Sequence, residues 1–386
     1  MDKLFYKDFK SNIFRGLKLI RALNLDPNAA VGPIRVEIAA SSACNYRCWF
    51  CASHSYLYPD RIEPLFLSDE LMRSLFNDLK KLHVTELLFS GNGEPLLSKA
   101  MIREIKQNGK KFLIEILSNG GNLSAVDEEL FRNLQYLTIS LNSGNGKSHQ
   151  ITHGYKGENQ FPGIVNNIER LLNISGANKK IKLNYVITAE NYEEIDDLIK
   201  MAAKWDVIFS ARPVKADDQA LRGKTLDRQM LENLDKKATQ YLAGSNLSGR
   251  LSLSLQLIKR ACQINYQDSV KSTKLYPCYV GFFDPYITSN GDVLICVSGQ
   301  EHPFGNLNEE SFQSIWQKRQ NLAFRIMATQ MHKTNQMAFS ACRNCVNVQY
   351  HSLAFHNIYS KIPVLPGLLE NRSRKLDSNI TDKKGA

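Results

Sequence analysis

The sequence lacks any long hydrophobic run. None of its apolar stretches reaches the roughly 18–20 residues that a membrane-spanning helix needs. Its first residues, Met1 to Lys7, also lack the apolar core of a secretory signal. We therefore expect a cytoplasmic protein without a membrane span. In that reducing compartment its eight cysteines are expected to be metal ligands rather than disulfide partners.

The charge is not concentrated in any one segment. Lysine and arginine number 49 against 38 acidic residues, a net charge of +11 spread along 386 residues. An anionic substrate or a nucleic acid is compatible with that excess, but dispersed surface lysines account for it, and we expect no nucleic-acid partner. The 43% hydrophobic and 23% charged composition is that of a globular protein, and the length predicts one large domain with a smaller one, or two comparable domains.

Three cysteines stand within eight residues. Cys44, Cys48 and Cys51 are spaced C-x3-C-x2-C, and the aromatic Phe50 directly precedes the last of them. Three thiolates in one loop can bind three irons of a [4Fe–4S] cubane and leave the fourth iron without a protein ligand. An open coordination position is where a metal site performs chemistry. The alternatives are a zinc knuckle, which would need a fourth Cys or His close by, and three unrelated buried thiols.

From residue 34 the sequence alternates between strand-like and helix-like segments. Strands are predicted at 34–39, 85–90, 111–117, 136–141, 181–187 and 207–211. Helices are predicted between them at 68–82, 99–107, 127–133, 164–172 and 192–204. Five helical crossovers predict a parallel sheet, and six units are too few to close an eight-stranded barrel. We therefore expect an α/β fold, an open (β/α)6 TIM-like barrel whose site lies at the C-terminal ends of the strands, where the cysteine loop begins.

Small and polar residues follow several of these strands. The turn Gly91–Glu94 would let backbone approach a ligand closely, and its carboxylate could accept hydrogen bonds from an ammonium. The third and fourth strands end in small polar side chains suited to a hydroxyl or a carboxylate. The alternative for each is an ordinary strand-ending turn. The candidate ligand-binding residues are Phe50, Gly91, Asn92, Gly93, Glu94, Ser118, Asn119, Ser140 and Asn142.

A second set of cysteines follows the predicted sheet. Cys278 and Cys296 are spaced C-x12-G-x4-C, and Cys342 and Cys345 form C-x2-C. Four thiolates would fully ligate either another iron–sulfur cluster or a structural zinc, and ligand count alone leaves both open. Cys262 has no partner in this pattern. We expect it to be a small buried apolar side chain, with approach to a cluster as the alternative.

The octet Cys44–Cys51 resembles the signature of the radical SAM enzymes. The resemblance implies that its three cysteines hold a [4Fe–4S] cluster and that S-adenosylmethionine (SAM) binds the open iron. One electron then cleaves SAM to a 5′-deoxyadenosyl radical, which requires an electron donor such as flavodoxin or ferredoxin. The Gly91–Glu94 turn is similar to the family's G-G-E-P turn, with Asn92 replacing the second glycine. Phe50 matches the family aromatic near adenine, and similar enzymes contact SAM from the other strand ends.

The C-x12-G-x4-C spacing resembles the start of the SPASM extension of that superfamily, which implies an auxiliary [4Fe–4S] cluster. The full seven-cysteine pattern would require cysteines at positions 351 and 355, where this chain has His351 and Phe355. The segment therefore resembles the truncated twitch type, with one auxiliary cluster. Its implied ligands are Cys278, Cys296, Cys342 and Cys345.

The predicted domains are a helical extension at 1–33, the barrel at 34–250, an auxiliary-cluster domain at 251–358 and a basic polar tail at 359–386. A helix is predicted at 225–244, and the alternating sequence at 251–257 predicts a strand. The expected reaction is hydrogen abstraction from a C–H bond, leading to oxidation or epimerisation of a small polar molecule. The alternative is oxidation or crosslinking of a ribosomally made peptide or protein. A third hypothesis, a non-enzymatic zinc or iron–sulfur protein that binds nucleic acid, predicts no SAM binding.

Overall fold

The computed structural model describes residues 32–51, 53, 63–214, 223–244, 247–267, 277–299, 302–335, 337–339 and 342. Most of the predicted N-terminal extension, Cys345, His351, Phe355 and the predicted tail lie outside the described residues. None of the helices in the described part of the chain is long and apolar enough to cross a membrane.

Nine strands form one sheet in the order β6-β5-β4-β3-β2-β1-β7-β8-β9. The six predicted strands are confirmed as β1 (Arg35–Ile38), β2 (Glu86–Phe89), β3 (Leu113–Ser118), β4 (Tyr136–Ser140), β5 (Ile181–Ile187) and β6 (Ile208–Pro213). Pairing is parallel from β3 to β6, in register Ser118↔Ile139 and Ser140↔Asn184. In the described residues β6 and β9 are the two ends of this strand order and do not pair with each other, so the sheet is open rather than closed, and the predicted α/β class is confirmed.

In the described residues up to 267, helices lie at the six positions where the sequence predicts them, and two further helices, at 146–153 and 249–267, are not predicted. They are α1 (Asp69–Lys81), α2 (Lys99–Asn108), α3 (Glu128–Asn133), α4 (Gly146–His153), α5 (Phe161–Leu172), α6 (Ile195–Trp205), α7 (Arg228–Ala243) and α8 (Gly249–Gln267). Polar N-caps fix several starts: Ser68 accepts a hydrogen bond from the Leu71 N–H, and Asp127 accepts one from the Leu130 N–H. Each cap satisfies an amide that has no partner within its helix.

The strand predicted at 251–257 is wrong, because these residues lie in the single helix α8. The buried side chains are Leu251, Leu255, Ile258 and Cys262. Their spacing of four, three and four residues is one helical face, not the alternation of a strand. Ser254 is also buried, and its hydroxyl donates to the Arg250 carbonyl one turn earlier. The predicted domain boundary at 250/251 falls inside this helix.

The chain divides into two compact units, residues 39–66 with 89–271, and residues 1–38 with 67–88 and 272–386. In the second of these, β7 (Tyr286–Ile287) pairs parallel to β1, and β8 (Asp292–Leu294) and β9 (Gly305–Asn306) continue antiparallel. The helices α9 (Val280–Phe283), α10 (Phe312–Gln317), α11 (Arg319–Thr329) and α12 (Met331–Thr334) complete it. Trp316 is 2% exposed, and its ring stacks on that of Phe312 with centroids 6.1 Å apart.

Candidate active site and auxiliary metal site

The loop that carries Cys44, Cys48 and Cys51 follows β1 and is held from behind by aromatic side chains. Tyr46 is buried, and its hydroxyl donates to Gln160 Oε1 at 2.8 Å. Trp49 is buried as well, and the Cys51 N–H donates to the Cys48 carbonyl at 3.0 Å. Two large anchors thus face inward while the three cysteines remain half-buried.

Gly93 lets the turn after β2 press directly against the cysteine loop. A Cβ at this position would lie 2.5 Å from the Ala43 carbonyl oxygen and 2.6 Å from the Ser41 carbonyl oxygen. The next residue, Glu94, donates its N–H to that same Ala43 carbonyl at 2.7 Å. Only glycine fits this approach of two backbones. The predicted turn therefore positions the segment that leads into Cys44.

The carboxylate of Glu94 is fully engaged by the chain itself. Its Oε1 accepts from the Leu96 N–H at 3.0 Å and from the Ser118 hydroxyl at 2.9 Å, and its Oε2 accepts from the Asn119 N–H at 2.7 Å. We call this set of contacts the Glu94 junction. Burial of the side chain raises the pKa of Glu94 to about 7, against the lowering effect of the hydrogen bonds. Through these hydrogen bonds Glu94 joins the turn after β2 to the end of β3, and its contact with the amino group of SAM stays a prediction.

Asn119 extends the Glu94 junction to the cysteines. Its Nδ2 donates to Asn45 Oδ1 at 2.8 Å and lies 3.5 Å from Cys44 Sγ. Its Oδ1 accepts from the Gly121 N–H at 2.8 Å. One amide side chain therefore connects the tip of β3 to the start of the cysteine loop. The structure brings the Gly91–Glu94 turn, Ser118 and Asn119 together with Cys44, as the sequence predicts for one site.

The remaining candidates are placed differently. Asn142 accepts the Val186 N–H at 2.8 Å and its carbonyl accepts from Asn191, so it ties β4 to the end of β5. Ser140 is half-buried at the end of β4. Phe50 packs edge-on against Trp49, with ring centroids 5.3 Å apart. Gly91 (φ 105°) is exposed. SAM contacts from these residues stay a prediction.

The three thiols favour a cationic partner. Burial, together with the negative charges of Glu94 and Cys51, raises the pKa of Cys44 to about 11, against the lowering effect of hydrogen bonds to the sulfur. Burial, followed by Cys51 and Cys44, holds the pKa of Cys48 well above its usual range. Without a metal the thiols of Cys44 and Cys48 stay protonated at pH 7, and a metal that binds them must displace the protons. Such a donor set fits an iron–sulfur cluster.

Across the described stretches, no three His, Cys, Asp or Glu side chains converge on one point where an ion could sit. A cubane makes no such demand, because each thiolate binds a different iron. The zinc-knuckle alternative for the first cysteines therefore gains no support within the described residues.

Two buried histidines beside the loop went unnoticed in the sequence. His149 and His153 lie four residues apart on α4, both fully buried, with their rings stacked at 4.2 Å. Burial lowers the pKa of His149 to about 4 and that of His153 well below its usual range, so both are neutral at pH 7. The Nδ1 of His153 lies 3.3 Å from Cys48 Sγ. In the sequence, the i, i+4 spacing of the two histidines indicates that they lie on one face of a helix.

The second cysteine set lines one cavity. Cys278, Cys296 and Cys342 border it, and Ile295 and Phe339 are among its apolar walls. The Cys278 N–H donates to the Ala328 carbonyl at 3.0 Å, and the Cys342 N–H donates to the Phe339 carbonyl at 3.1 Å. Three of the four predicted ligands are thus brought together, and Cys345 lies outside the described residues. A dry cavity rimmed by thiols suits an iron–sulfur cluster.

Gly291 explains the C-x12-G-x4-C spacing in structural terms. It has φ 93° and sits in the tight turn between β7 and β8, with its N–H donating to the Thr288 carbonyl at 3.0 Å. Residues other than glycine rarely adopt this backbone conformation. The hairpin then returns the chain so that Cys296, directly after β8, borders the cavity that Cys278 also borders. The glycine therefore positions a predicted ligand.

Comparison with known proteins agrees with this geometry. Residues 38–202 match the radical SAM superfamily, and residues 278–346 match an iron–sulfur cluster-binding domain of the SPASM type. The two matches lie on the parts of the chain that carry the two cysteine sets, and they support a radical SAM enzyme with a C-terminal SPASM domain. These two families imply SAM and two [4Fe–4S] clusters as the cofactors.

Individual relatives are distant. The chain is 21% identical to the GTP 3′,8-cyclase of Mannheimia succiniciproducens, over 69% of this chain and 78% of that protein. It is 26% identical to the probable GTP 3′,8-cyclase of Thermococcus kodakarensis, over 47% of this chain and 57% of that protein. The crystal structure of Streptococcus suis SuiB bound to its precursor peptide SuiA is similar in fold, with a TM-score of 0.52 and 18% identity, over 78% of this chain and 68% of that one.

Proposed function

We propose that the chain is a radical SAM enzyme in which Cys44, Cys48 and Cys51 hold the SAM-binding [4Fe–4S] cluster. The observation that carries this assignment is the half-buried trio of thiols, fixed by the Gly93 contact and by the Glu94 junction at the strand ends. When bound, the cluster supplies the electron that cleaves SAM to a 5′-deoxyadenosyl radical. The chain's own residues hold the loop rigid, exclude water behind it and set the environment of each thiol.

We assign Cys278, Cys296, Cys342 and Cys345 as the ligands of one auxiliary cluster. Three of them border the apolar cavity described above, and the spacing of the fourth follows the twitch-type pattern. Four protein thiolates leave no iron open for substrate. The auxiliary cluster therefore serves to accept or relay an electron, a role that suits an oxidation.

For the substrate we propose a small polar molecule, which the enzyme oxidises or epimerises after removing a hydrogen atom from a C–H bond. The twitch-type cysteine count supports this class, and both curated relatives are named as cyclases of GTP, itself a small polar molecule. An electron donor such as flavodoxin or ferredoxin would supply the reducing equivalent.

Modification of a ribosomally made peptide is the second candidate. It is favoured by the likeness to SuiB, whose structure contains a precursor peptide. At 18% identity that likeness establishes only the shared fold, and we therefore place it second.

Anaerobic reconstitution tests the proposal. The wild-type chain should take up about eight irons, as two [4Fe–4S] clusters require, and release 5′-deoxyadenosine from SAM on reduction with dithionite. The triple variant Cys44→Ala, Cys48→Ala, Cys51→Ala should retain about four irons and release no 5′-deoxyadenosine. A Cys278→Ala, Cys296→Ala variant is the matched control: it should also lose about four irons but keep SAM cleavage. One zinc per site and no cleavage by the wild type would overturn the proposal.

The same assay separates the substrate classes. A panel of nucleotides, sugars and aminocyclitols is compared with a panel of short peptides by the rate of 5′-deoxyadenosine formation that each compound supports. The active compounds are then supplied in deuterated form, and the deuterium content of the 5′-deoxyadenosine is measured. Transfer of deuterium from a small molecule into 5′-deoxyadenosine supports the proposed class. Transfer only from a peptide would favour the second candidate.

A further inference from the structure

His153 contacts one of the proposed cluster ligands and has no role in the function described so far. It is fully buried, and its Nδ1 lies 3.3 Å from Cys48 Sγ. A thiolate bound to iron has no proton to donate, so the hydrogen in this contact must be on the imidazole. We propose that His153 is a positioning residue whose Nδ1–H donates to the Cys48 thiolate and makes the SAM-binding cluster easier to reduce.

The backbone around His153 fixes the contact. His153 is the last residue of α4, and its carbonyl accepts the Arg47 N–H at 2.8 Å. This bond holds the end of the helix against the residue that precedes Cys48. The inference rests on the proposed function, because it takes Cys48 to be an iron ligand.

Neighbouring rings fix the orientation of the imidazole. His149 stacks on it with an interplanar angle of 25°, and Tyr46 packs edge-on with ring centroids 4.9 Å apart. The hydroxyl of Tyr46 is held in turn by Gln160. Rotation of the His153 ring away from Cys48 would disrupt both ring contacts. The donor is therefore held toward the sulfur before any cluster binds.

A donor at this position acts on the reduction potential. Hydrogen bonds to the cysteine sulfurs are one of the means by which proteins tune iron–sulfur clusters. Reduction adds negative charge to the cluster and its thiolates, so a donor stabilises the reduced state more than the oxidised state. The effect is strengthened because burial removes competing water. The loss of this donor should shift the potential to more negative values.

The three thiols differ in their donors. Cys44 Sγ is approached by Asn119 Nδ2 at 3.5 Å and Cys51 Sγ by the Ser53 N–H at 3.4 Å. The contact from His153 to Cys48 is the shortest of the three and comes from the most buried group. Within the part of the chain that the structure describes, His149 makes its side-chain hydrogen bond to Tyr155 and none to a cysteine. It is therefore a matched control.

The test compares His153→Phe, which removes the donor, with His153→Gln, which keeps an N–H, and with the control His149→Phe. Each full-length protein is reconstituted anaerobically and assayed for iron. The midpoint potential of the SAM-binding cluster is measured by EPR-monitored titration, without SAM. Its signal is assigned by the change that SAM causes in a parallel sample. We expect the midpoint potential of the cluster to be more negative in His153→Phe than in wild type, and to stay at the wild-type value in His153→Gln and His149→Phe. All three variants should bind as much iron as wild type.

A second readout detects the contact directly. In reduced protein labelled with ¹⁵N-histidine, pulsed EPR should show a ¹⁵N coupling in the wild type and in His149→Phe, and lose it in His153→Phe. An unchanged potential in His153→Phe, or equal shifts in both Phe variants, would overturn the inference and point to packing alone.

Iron uptake decides the case in which His153→Phe fails to assemble the cluster. If His153→Gln and His149→Phe still take up full iron, the hydrogen bond is what positions Cys48, and the inference holds. If all three variants lose iron, the aromatic packing is responsible and the inference is wrong. A wild-type protein without any SAM-responsive cluster would instead contradict the proposed function itself.

Discussion

Glu94 Oε2 accepts a 2.7 Å hydrogen bond from the backbone N–H of Asn119, which joins the turn after β2 to the residue after β3. The same Asn119 reaches Cys44 through its side chain. Two neighbouring strand ends and the cysteine loop are therefore connected through one buried carboxylate. The side chains of Glu94, Ser118 and Asn119 therefore link these strand ends to the start of the cysteine loop, and their contacts with SAM stay a prediction.

Replacement of Glu94 by glutamine should destabilise the protein. An amide cannot accept at both ends, so at least one buried N–H of the Glu94 junction loses its partner, at a cost of about 1–3 kcal/mol. Urea unfolding measures the loss. Glu129→Gln is the control, because that side chain is 68% exposed, and its effect should stay within about 0.5 kcal/mol. Equal stability of the two variants would contradict the role given to Glu94.

The stability difference between wild type and Glu94→Gln should depend on pH. The pKa of Glu94 rises from 4.5 to about 7 in the folded protein. Between these values the native state holds a proton that the unfolded state releases, so the free energy of unfolding falls as pH rises, by at most about 3 kcal/mol. Glu94→Gln lacks this contribution. The stability gap between wild type and Glu94→Gln should therefore narrow from pH 4.5 to 7, and a gap that widens would refute the assignment.

Gly93→Ala should separate the turn from the cysteine loop. The new methyl group would meet the Ala43 and Ser41 carbonyl oxygens at 2.5 and 2.6 Å, and we expect a loss of about 1–3 kcal/mol in the free energy of unfolding and reduced iron uptake. Gly163→Ala in α5 is the control, since nothing lies within 4 Å of its Cβ. It should be neutral or more stable by about 0.5–1 kcal/mol. Wild-type iron uptake by Gly93→Ala would show that this close contact is dispensable.

Alanine substitutions along α8 distinguish a helix from a strand. Leu255 is fully buried, so Leu255→Ala should cost about 2–5 kcal/mol of unfolding free energy. Leu253 is half-buried, and Leu253→Ala should cost clearly less, whereas a strand would bury both side chains on one face. Thermal or urea unfolding of the two variants measures both losses, and equal losses would indicate a strand rather than a helix. Gln256→Ala, at an exposed position, provides the baseline.

Arg325→Lys should be a costly exchange although it keeps the charge. The guanidinium lies 3.8 Å from the centre of the Trp316 ring, and its Nη2 donates to the Trp316 carbonyl at 2.9 Å, with the residue only 2% exposed. Lysine lacks the planar group that stacks, so we expect a loss of about 2 kcal/mol or more. Arg132→Lys is the control, because its side chain is 61% exposed, and should be close to neutral. Similar effects at both positions would argue against the stacking.

Short-range sequence patterns were enough to predict much of the secondary structure. Ser68 and Asp127 mark helix starts because a capping side chain lies next to the amides it satisfies. The alternation at 251–257 misled because three serine and glutamine positions imitate a strand, whereas the burial of Ile258 and Cys262 shows the helical face only over a longer window. His153 was missed for a different reason. Its contact with Cys48 joins residues 105 positions apart.

The sequence by itself determined the chemistry that this protein has available: the C-x3-C-x2-C octet, the second cysteine set and the alternation that builds an open parallel sheet. These are local features, because thiol spacing and hydrophobic period are properties of adjacent residues. Only the tertiary structure decided what the polar strand ends do. Glu94 turned inward to Asn119 and His153 turned toward Cys48 because both side chains are buried, and a buried polar group must find its partner wherever the fold provides one.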